Sequence, residues 1–245
     1  MEGSGVYEKV LEKTSLFLVT AAMTVSAPLM AWALEHDIVI LHTNDIHCGI
    51  NDNIGFAGLA QIKKDALART PNVALVDAGD AIQGAPIGKL SRGLAVVNIM
   101  NYLGYDFCIP GNHEFDYGMD RFMELAPLQR AGYYCANFVY AGNNKQVLPG
   151  YKIMHYEDTK VAFVGASTPE SLTTSTPTFF QNEKGKYIYS FCEDKTGNKL
   201  YKQLQKNVDK ARKEGADTYL SLAIWVWMAL PSSGAAKALL KILKV

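Results

Sequence analysis

The chain has 245 residues, an apolar content of 49%, and 24 basic residues against 24 acidic ones. That length allows one sizeable domain, or one and a fragment, and the apolar fraction suits a chain that buries a core. The balance of charge offers no basic stripe for a nucleic-acid polymer and no acidic tail for disorder. A phosphorylated substrate is still allowed, because bound metal ions supply positive field locally.

The N-terminal stretch Ser15–Met30 is almost entirely apolar or small and ends at Ala31-Trp32-Ala33. An apolar run before an A-x-A step reads as a secretory signal over residues 1–33, cleaved after Ala33. Lys9 and Lys13 are outnumbered by Glu2, Glu8 and Glu12 in the preceding segment, so an uncleaved anchor and a buried helix stay open as rivals. Pro28 and the short apolar length weigh against a spanning helix, so no stable membrane span is expected after cleavage. The expected location is export, to periplasm, cell surface or medium.

From Asp37 onward, strand-like and helix-like segments alternate. Ile38–Leu41, Val73–Val76 and Asp106–Pro110 read as short buried strands. Phe56–Ala68, Lys89–Leu103, Met119–Ala131 and Leu200–Glu214 have helical spacing, and Gly104, Gly132 and Gly215 stand where helices stop. Tyr133–Phe138, Tyr151–Tyr156 and Lys160–Ala166 read as further strands, and Thr168–Tyr187 as a surface loop. This alternation predicts an α/β domain with parallel crossovers. Cys48, Cys108, Cys135 and Cys192 form no C-x-x-C pair, and Cys108 and Cys135 read as small buried hydrophobes.

Three polar boxes follow the first three strands: Thr43-Asn44-Asp45-Ile46-His47, Asp77-Ala78-Gly79-Asp80, and Gly111-Asn112-His113-Glu114-Phe115-Asp116. Strand ends are where an α/β sheet builds its sites. Phosphate monoesters hydrolyse very slowly in water. Two metal ions overcome this by clamping the phosphoryl oxygens and generating hydroxide, and they need a bridging carboxylate with nitrogen and oxygen ligands on either side. Asp45 and His47 are two apart, so an extended backbone points both at one ion. Gly79 lets the chain bend to bring Asp80 to the strand tip. Asn112 offers an amide oxygen, and His113, with Asp116 three residues on, is placed to protonate a leaving group. Taken singly, Asp80 is equally a helix N-cap, and Asn112-His113-Glu114 a capping cluster for the next helix.

The ordered set resembles the calcineurin-like metallophosphoesterases, and more narrowly the bacterial 5′-nucleotidase, UDP-sugar hydrolase and 2′,3′-cyclic phosphodiesterase family. The likeness is carried by Ile40–His47, Val76–Asp80, Gly111–Gly118, Ala136-Asn137 and Thr168-Pro169-Glu170, and it runs from about Asp37 to Asp217. It implies a sheet sandwich flanked by helices. It implies Asp45 and His47 on a first metal, Asp80 bridging, Asn112 on a second, and His113 with Asp116 as the catalytic pair. Two divalent ions (Mn, Zn, Mg or Ca) and a nucleotide or other small phosphate ester are the expected cofactors and substrate.

The family pattern also includes a Gly-His-Leu-Gly segment, a Gly-His-Ser-His segment and a C-terminal nucleotide-binding domain, none of which is present here. The expectation is therefore an α/β/β/α domain lacking its later strands over residues 34–217, an impaired enzyme, and an aberrant tail over 218–245. The rival is a non-catalytic fragment or pseudogene product. The genetic code supplies a reason for the tail. Shifted by one base, the codons of Trp225-Val226, Trp227-Met228 and Met228-Ala229 must yield Gly, Asp and Gly, and the neighbouring codons permit Gly-His-Leu-Gly-Val-Asp-Gly over 223–229. A frame slip just after Asp217 is the expected origin of Thr218–Val245; a genuine amphipathic tail is the alternative. Sequencing the gene checks this: the other frame should encode Gly-His-Leu-Gly near Ile224, and its absence there would refute the slip.

Overall fold

The computed structural model describes residues 37–223, all within one unit of the chain. The expected secretory signal over residues 1–33 and residues 224–245 of the tail lie outside the described residues. Strand β1 (Val39–Thr43) pairs in parallel with β2 (Val73–Asp77), which pairs in parallel with the short β3 (Phe107–Cys108). Helix α1 (Gly55–Leu67) makes the first crossover, and α2 (Pro86–Ser91) with α3 (Leu94–Leu103) the second. Helix α4 (Met119–Leu125) follows the third box. A second sheet joins β5 (Tyr151–Tyr156) antiparallel to β6 (Thr159–Ala166), and β6 parallel to β8 (Thr218–Ala223), with α6 (Asn198–Lys213) as the crossover between them. A two-stranded ribbon, β4 (Val139–Tyr140) with β7 (Tyr189–Ser190), and a one-turn helix α5 (Ser171–Thr174) complete the list.

The layers follow from strand alternation. In β2, Ala74 and Val76 face one way and Leu75 the other. Ala74 and Val76 belong to a cluster with Phe107, Ile109, Val161, Phe163 and Leu222, so the two sheets pack face to face. Phe107 sits in that interlayer, stacked on Tyr134 at 4.7 Å between ring centroids and tilted against Phe163 at 5.8 Å. On the far side of the second sheet, Val164 and Ala166 pack on Leu200, Leu204 and Val208 of α6. On the far side of the first, Leu75 joins Phe56, Leu59, Val97, Met100 and Phe122 from the helices. Helix, sheet, sheet, helix is the expected α/β/β/α order.

Several local expectations are corrected. The single helix over Lys89–Leu103 is two helices, because Arg92 (φ 48°) and Gly93 (φ 86°) turn left-handed between them. The helix from Met119 stops at Leu125 and tightens to a 3₁₀ turn, since Pro127 has no N–H to continue it. Residues 133–138 are not a strand: Tyr133 makes one isolated bridge to Cys108, and regular pairing waits until Val139. The loop over 168–187 carries α5 and a 3₁₀ turn at Pro177–Phe180, whose Phe180 is fully buried. At the start of the tail, Thr218–Ala223 pairs residue for residue with Val161–Ala166, as a run rich in Tyr and Leu can. All four cysteines are buried and free.

The N-terminus of α6 is satisfied from outside. Asp194, three residues before Gly197, accepts the N–H groups of Asn198 (3.2 Å) and Lys199 (2.7 Å) and of Thr196 (2.7 Å). These donors, the Lys199 N–H foremost, pull its carboxyl down to about 2. A depressed carboxylate stabilises the fold above its unfolded value of about 3.9 and loses that contribution as pH falls towards 2. Acid unfolding followed by circular dichroism should therefore show a component between about pH 4 and 2 that is absent in Asp194→Ala.

Candidate active site

The three polar boxes occupy the C-terminal ends of three adjacent parallel strands, β1, β2 and β3, with β2 in the middle. They are stitched together by backbone hydrogen bonds. Asp45 N–H donates to Gly79 O (3.0 Å), His47 N–H to Asp80 O (2.9 Å) and Cys48 N–H to Ala81 O (2.9 Å). The backbone here is not the extended one in which residues i and i+2 point the same way. Asp45 (φ 53°), His47 (φ 46°) and Asp80 (φ 59°) are all left-handed. Such geometry is costly for residues other than glycine and persists only where surrounding contacts enforce it, which is commonest at functional sites. The two loops pairing as a ladder beyond the strands provide that enforcement.

Asp80 is 2% exposed, and one carboxylate oxygen accepts the His113 N–H at 2.8 Å. Burial pushes its carboxyl up, the His113 N–H and imidazole pull it down, and Asp45 pushes it up again. His47 contacts Gln83 O through Nδ1 at 3.2 Å; a carbonyl only accepts, so Nδ1 carries the hydrogen. His113 does the same towards Asp116, with Nδ1 2.7 Å from Oδ2. This hydrogen bond is the main reason the His113 pKa is raised; burial opposes it and Asp80 reinforces it. The second oxygen of Asp116 lies 3.4 Å from Ser175 Oγ. The two imidazole rings meet edge to face, 5.0 Å apart.

His47, Asp80 and His113 bring one ligand atom each to within 4.8 Å of one another. Asp45 stands to the side: its Oδ1 is 3.8 Å from His47 Nε2 and its Oδ2 accepts from Asn44 Nδ2 at 2.7 Å. Asn112 is buried, and its Oδ1 has no hydrogen-bond donor. A buried acceptor without a partner is costly unless something absent from the protein satisfies it. Two imidazoles, a buried carboxylate and an orphaned amide oxygen are a donor set that fits divalent metal ions. Neither Asp80 nor the Asn112 cluster caps the α-helix that follows it: α2 is capped at Ala85 and α4 at Gly118, and Asn112, at the start of the 3₁₀ turn His113–Phe115, makes no side-chain cap bond. A cavity of about 440 Å³ opens beside Asp45 and His47, lined also by Asn44, Asp52, Asn53 and Phe56. A larger one, about 550 Å³, lies between Pro169–Thr173 and Cys192–Gly197 and contains none of these residues, so the chemistry places the site at the strand tips.

Glu114 has a role that its place in the sequence conceals. Its side chain is buried beneath the loops, and both oxygens accept two N–H groups. Oε2 takes those of Asp80 (2.7 Å) and Gly111 (2.5 Å), and Oε1 those of Ala81 (2.8 Å) and Ile82 (3.3 Å). One carboxylate thus ties the β2 loop to the β3 loop. Burial, followed by the Asp80 carboxylate, raises Glu114 to about 7 against the pull of these donors. The loops touch so closely that a Cβ on Gly79 would lie 2.5 Å from Gly111 N, and one on Gly111 2.2 Å from Asp80 Oδ1. Next in the chain, fully buried Phe115 is ringed by Phe122, Phe138, Phe180 and Phe191 at 4.8–5.7 Å. A second buried carboxylate, Asp77, accepts from Thr43 Oγ1 (2.7 Å) and the Gly79 N–H (3.0 Å), and burial raises it well above the usual range.

Replacing Glu114 by Gln keeps the volume but turns an NH₂ towards two backbone donors. Glu114→Gln should lower stability by about 3 kcal/mol, read as a fall in the denaturation midpoint, and should weaken divalent-ion binding. An unchanged midpoint would show that the four N–H groups do not depend on the carboxylate.

Residues 38–218 match the family model for calcineurin-like phosphoesterases. Among curated proteins, the snake venom 5′-nucleotidase of Gloydius brevicauda is 29% identical over 84% of this chain and 36% of its own length. The rat 5′-nucleotidase is 32% identical over 64% of this chain and 30% of its own. The chain therefore spans about a third of the length of these relatives. Among solved structures, a calcineurin-like phosphoesterase from Bacillus subtilis superposes with a TM-score of 0.67 at 25% identity, over 84% of this chain and 68% of that one. Strand-tip boxes on a two-sheet α/β scaffold, matched along most of the sequence, place this chain in the calcineurin-like metallophosphoesterase family.

Proposed function

We propose that the chain is a metal-dependent phosphoesterase of the 5′-nucleotidase type, hydrolysing phosphate esters of nucleotides at a dinuclear metal site. The observation that carries this reading is the buried, donorless Asn112 Oδ1, together with the His47–Asp80–His113 cluster, whose imidazole Nδ1 atoms are already engaged. Asp45, His47 and Asp80 would hold one ion, and Asp80 and Asn112 the other. When bound, such ions neutralise the phosphoryl oxygens and activate a water as the nucleophile.

The remaining work falls to the chain. Water oxygen bonds to phosphorus, the ester P–O bond breaks, and the departing alkoxide takes a proton from His113 Nε2. Asp116 accepts the Nδ1–H, which fixes the ring and favours its protonated, acidic form. Ser175 reaches the far oxygen of Asp116 from the segment after α5. Asp80, with one oxygen on the His113 backbone, keeps the acid in register with the expected bridging position. The cavity beside Asp45 and His47 leaves room for an ester group. Nucleotide preference rests on the relatives' names and is part of the proposal. So is export, which rests on the apolar Ser15–Met30 segment and the Ala31-Trp32-Ala33 step. No helix among the described residues is long and apolar enough to cross a membrane.

Purified protein should release phosphate from adenosine 5′-monophosphate and from p-nitrophenyl phosphate only with added Mn²⁺, and Asp80→Ala should abolish the metal dependence. His113→Ala should cost about 10²-fold or more with the nucleotide and much less with p-nitrophenyl phosphate, whose leaving group needs no proton. Equal losses on the two esters would remove His113 from the acid role, and a metal-independent rate would overturn the reading as a whole.

A further inference from the structure

Charge balance over the whole chain hides a local imbalance. Helix α6, Asn198–Lys213, carries six basic residues and one acidic residue, so the rest of the chain is acidic on balance. Lys199, Lys202, Lys206, Lys210 and Lys213 follow one another at steps of three or four residues. At 3.6 residues per turn they fall within about 80° of arc and form a row about 21 Å long. All five are exposed. Leu200, Leu204 and Val208, on the other side of the helix, pack on Val164 and Ala166 of β6, which turns the row outwards.

Among the described residues none of the five lysines makes an ion pair, and the carboxylates around the helix are engaged elsewhere. Glu193 accepts from Ser190 Oγ (2.8 Å) and the Phe191 N–H (3.1 Å), and Asp194 satisfies the start of the helix. Asp209 accepts from Gln205 Nε2 (2.9 Å) and pairs with Arg212 (3.7 Å). Glu214 accepts from the Tyr151 hydroxyl (2.6 Å), and Asp217 from the Lys160 N–H (2.8 Å). Lys199 Nζ donates to the Glu193 carbonyl at 3.4 Å. Such a row is a cost to the fold. Like charges four apart repel, Lys202 with Lys206 and Lys206 with Lys210, and Lys199 stands in the first turn, where the helix dipole disfavours a cation. A face that only keeps a helix soluble alternates Glu with Lys, and α6 contains no Glu.

We propose that the lysine row of α6 is an electrostatic docking face for an anionic lipid surface, independent of the chemistry at the strand tips. Lysine is a hydrated point charge on a flexible stem, suited to diffuse negative charge; planar, bidentate phosphate recognition is the part of arginine. Arg212 of this helix is turned aside, 5.3 Å over the Tyr219 ring and beside Asp209. The row stands on an outer helix and has no aromatic member, whereas single-stranded nucleic acid is held in a groove with stacking rings. The acidic remainder of the chain turns α6 towards a negative surface. The apolar side of the helix is already spent on the core, so docking is by charge alone, reversible and sensitive to salt.

Co-flotation of the full chain with lipid vesicles tests this. The wild-type chain should float with vesicles of phosphatidylglycerol and phosphatidylcholine at low salt, much less with phosphatidylcholine alone, and should be released by about 0.5 M NaCl. Neither comparison depends on a variant folding. Each lysine near an anionic surface is worth about fivefold in binding, so Lys202→Gln, Lys206→Gln and Lys210→Gln combined should weaken it by about 100-fold. The same triple variant should keep or raise the denaturation midpoint, because three like charges are removed from one face. Equal flotation with the two kinds of vesicle, or wild-type binding by a folded triple variant, would overturn the proposal. If a short DNA duplex is bound through these lysines at matched phosphate concentration and the vesicles are not, the face belongs to nucleic acid and the proposal is wrong.

Discussion

The site depends on one buried carboxylate. Glu114 accepts four backbone N–H groups from two loops, those of Asp80, Ala81 and Ile82 on one side and Gly111 on the other. Without it, the tips of β2 and β3 would leave four buried donors unsatisfied at the point where Asp80 and Asn112 must be held. The neighbouring Phe115 pins the same turn into a nest of phenylalanines, so the clamp is anchored in the core. Gly79 and Gly111 are the counterpart of this clamp, because the loops approach too closely for any side chain there. The Asp80 carboxylate lies beside Glu114 and raises its cost of ionisation. A cation at the strand tips would relieve that repulsion, so the scaffold is electrostatically more comfortable when loaded.

The rest of the architecture serves to bring three loops to one edge. Parallel pairing of β1, β2 and β3 puts their C-terminal ends side by side, and face-to-face packing of the second sheet buries the other face of the first. Helices α1 and α3 and the aromatic cluster close the outer face. On this rigid base the loops adopt left-handed backbone at Asp45, His47 and Asp80 that no isolated peptide would hold. Stability from the layers is thus spent on positioning a few polar side chains.

Much of this was legible in the sequence because apolar runs that end in polar boxes are the mark of buried strands with functional tips. The strands at Val73, Tyr151 and Lys160 and the helices at Phe56 and Leu200 stood out by periodicity alone. What did not stand out depended on contacts distant in the chain. Glu114 read as one more polar member of its box, and nothing nearby showed that its four donors come from elsewhere. An extended backbone would pair Asp45 with His47, whereas their loop is held left-handed by hydrogen bonds to residues 79–81. Two-residue strands such as β4 and β7 have too few positions to carry a period. The break at Arg92-Gly93 and the stop before Pro127 were written in the residues but outweighed by the helical spacing around them.

The proposed mechanism requires a divalent-metal site at the three strand tips. Anomalous diffraction from crystals grown with Mn²⁺ tests it most directly. At least one strong anomalous peak is expected within about 2.0–2.3 Å of a carboxylate oxygen of Asp80 and of a further ligand from Asp45, His47 or Asn112. A saturated crystal with no peak between these loops, or with manganese only at surface carboxylates elsewhere, would contradict it.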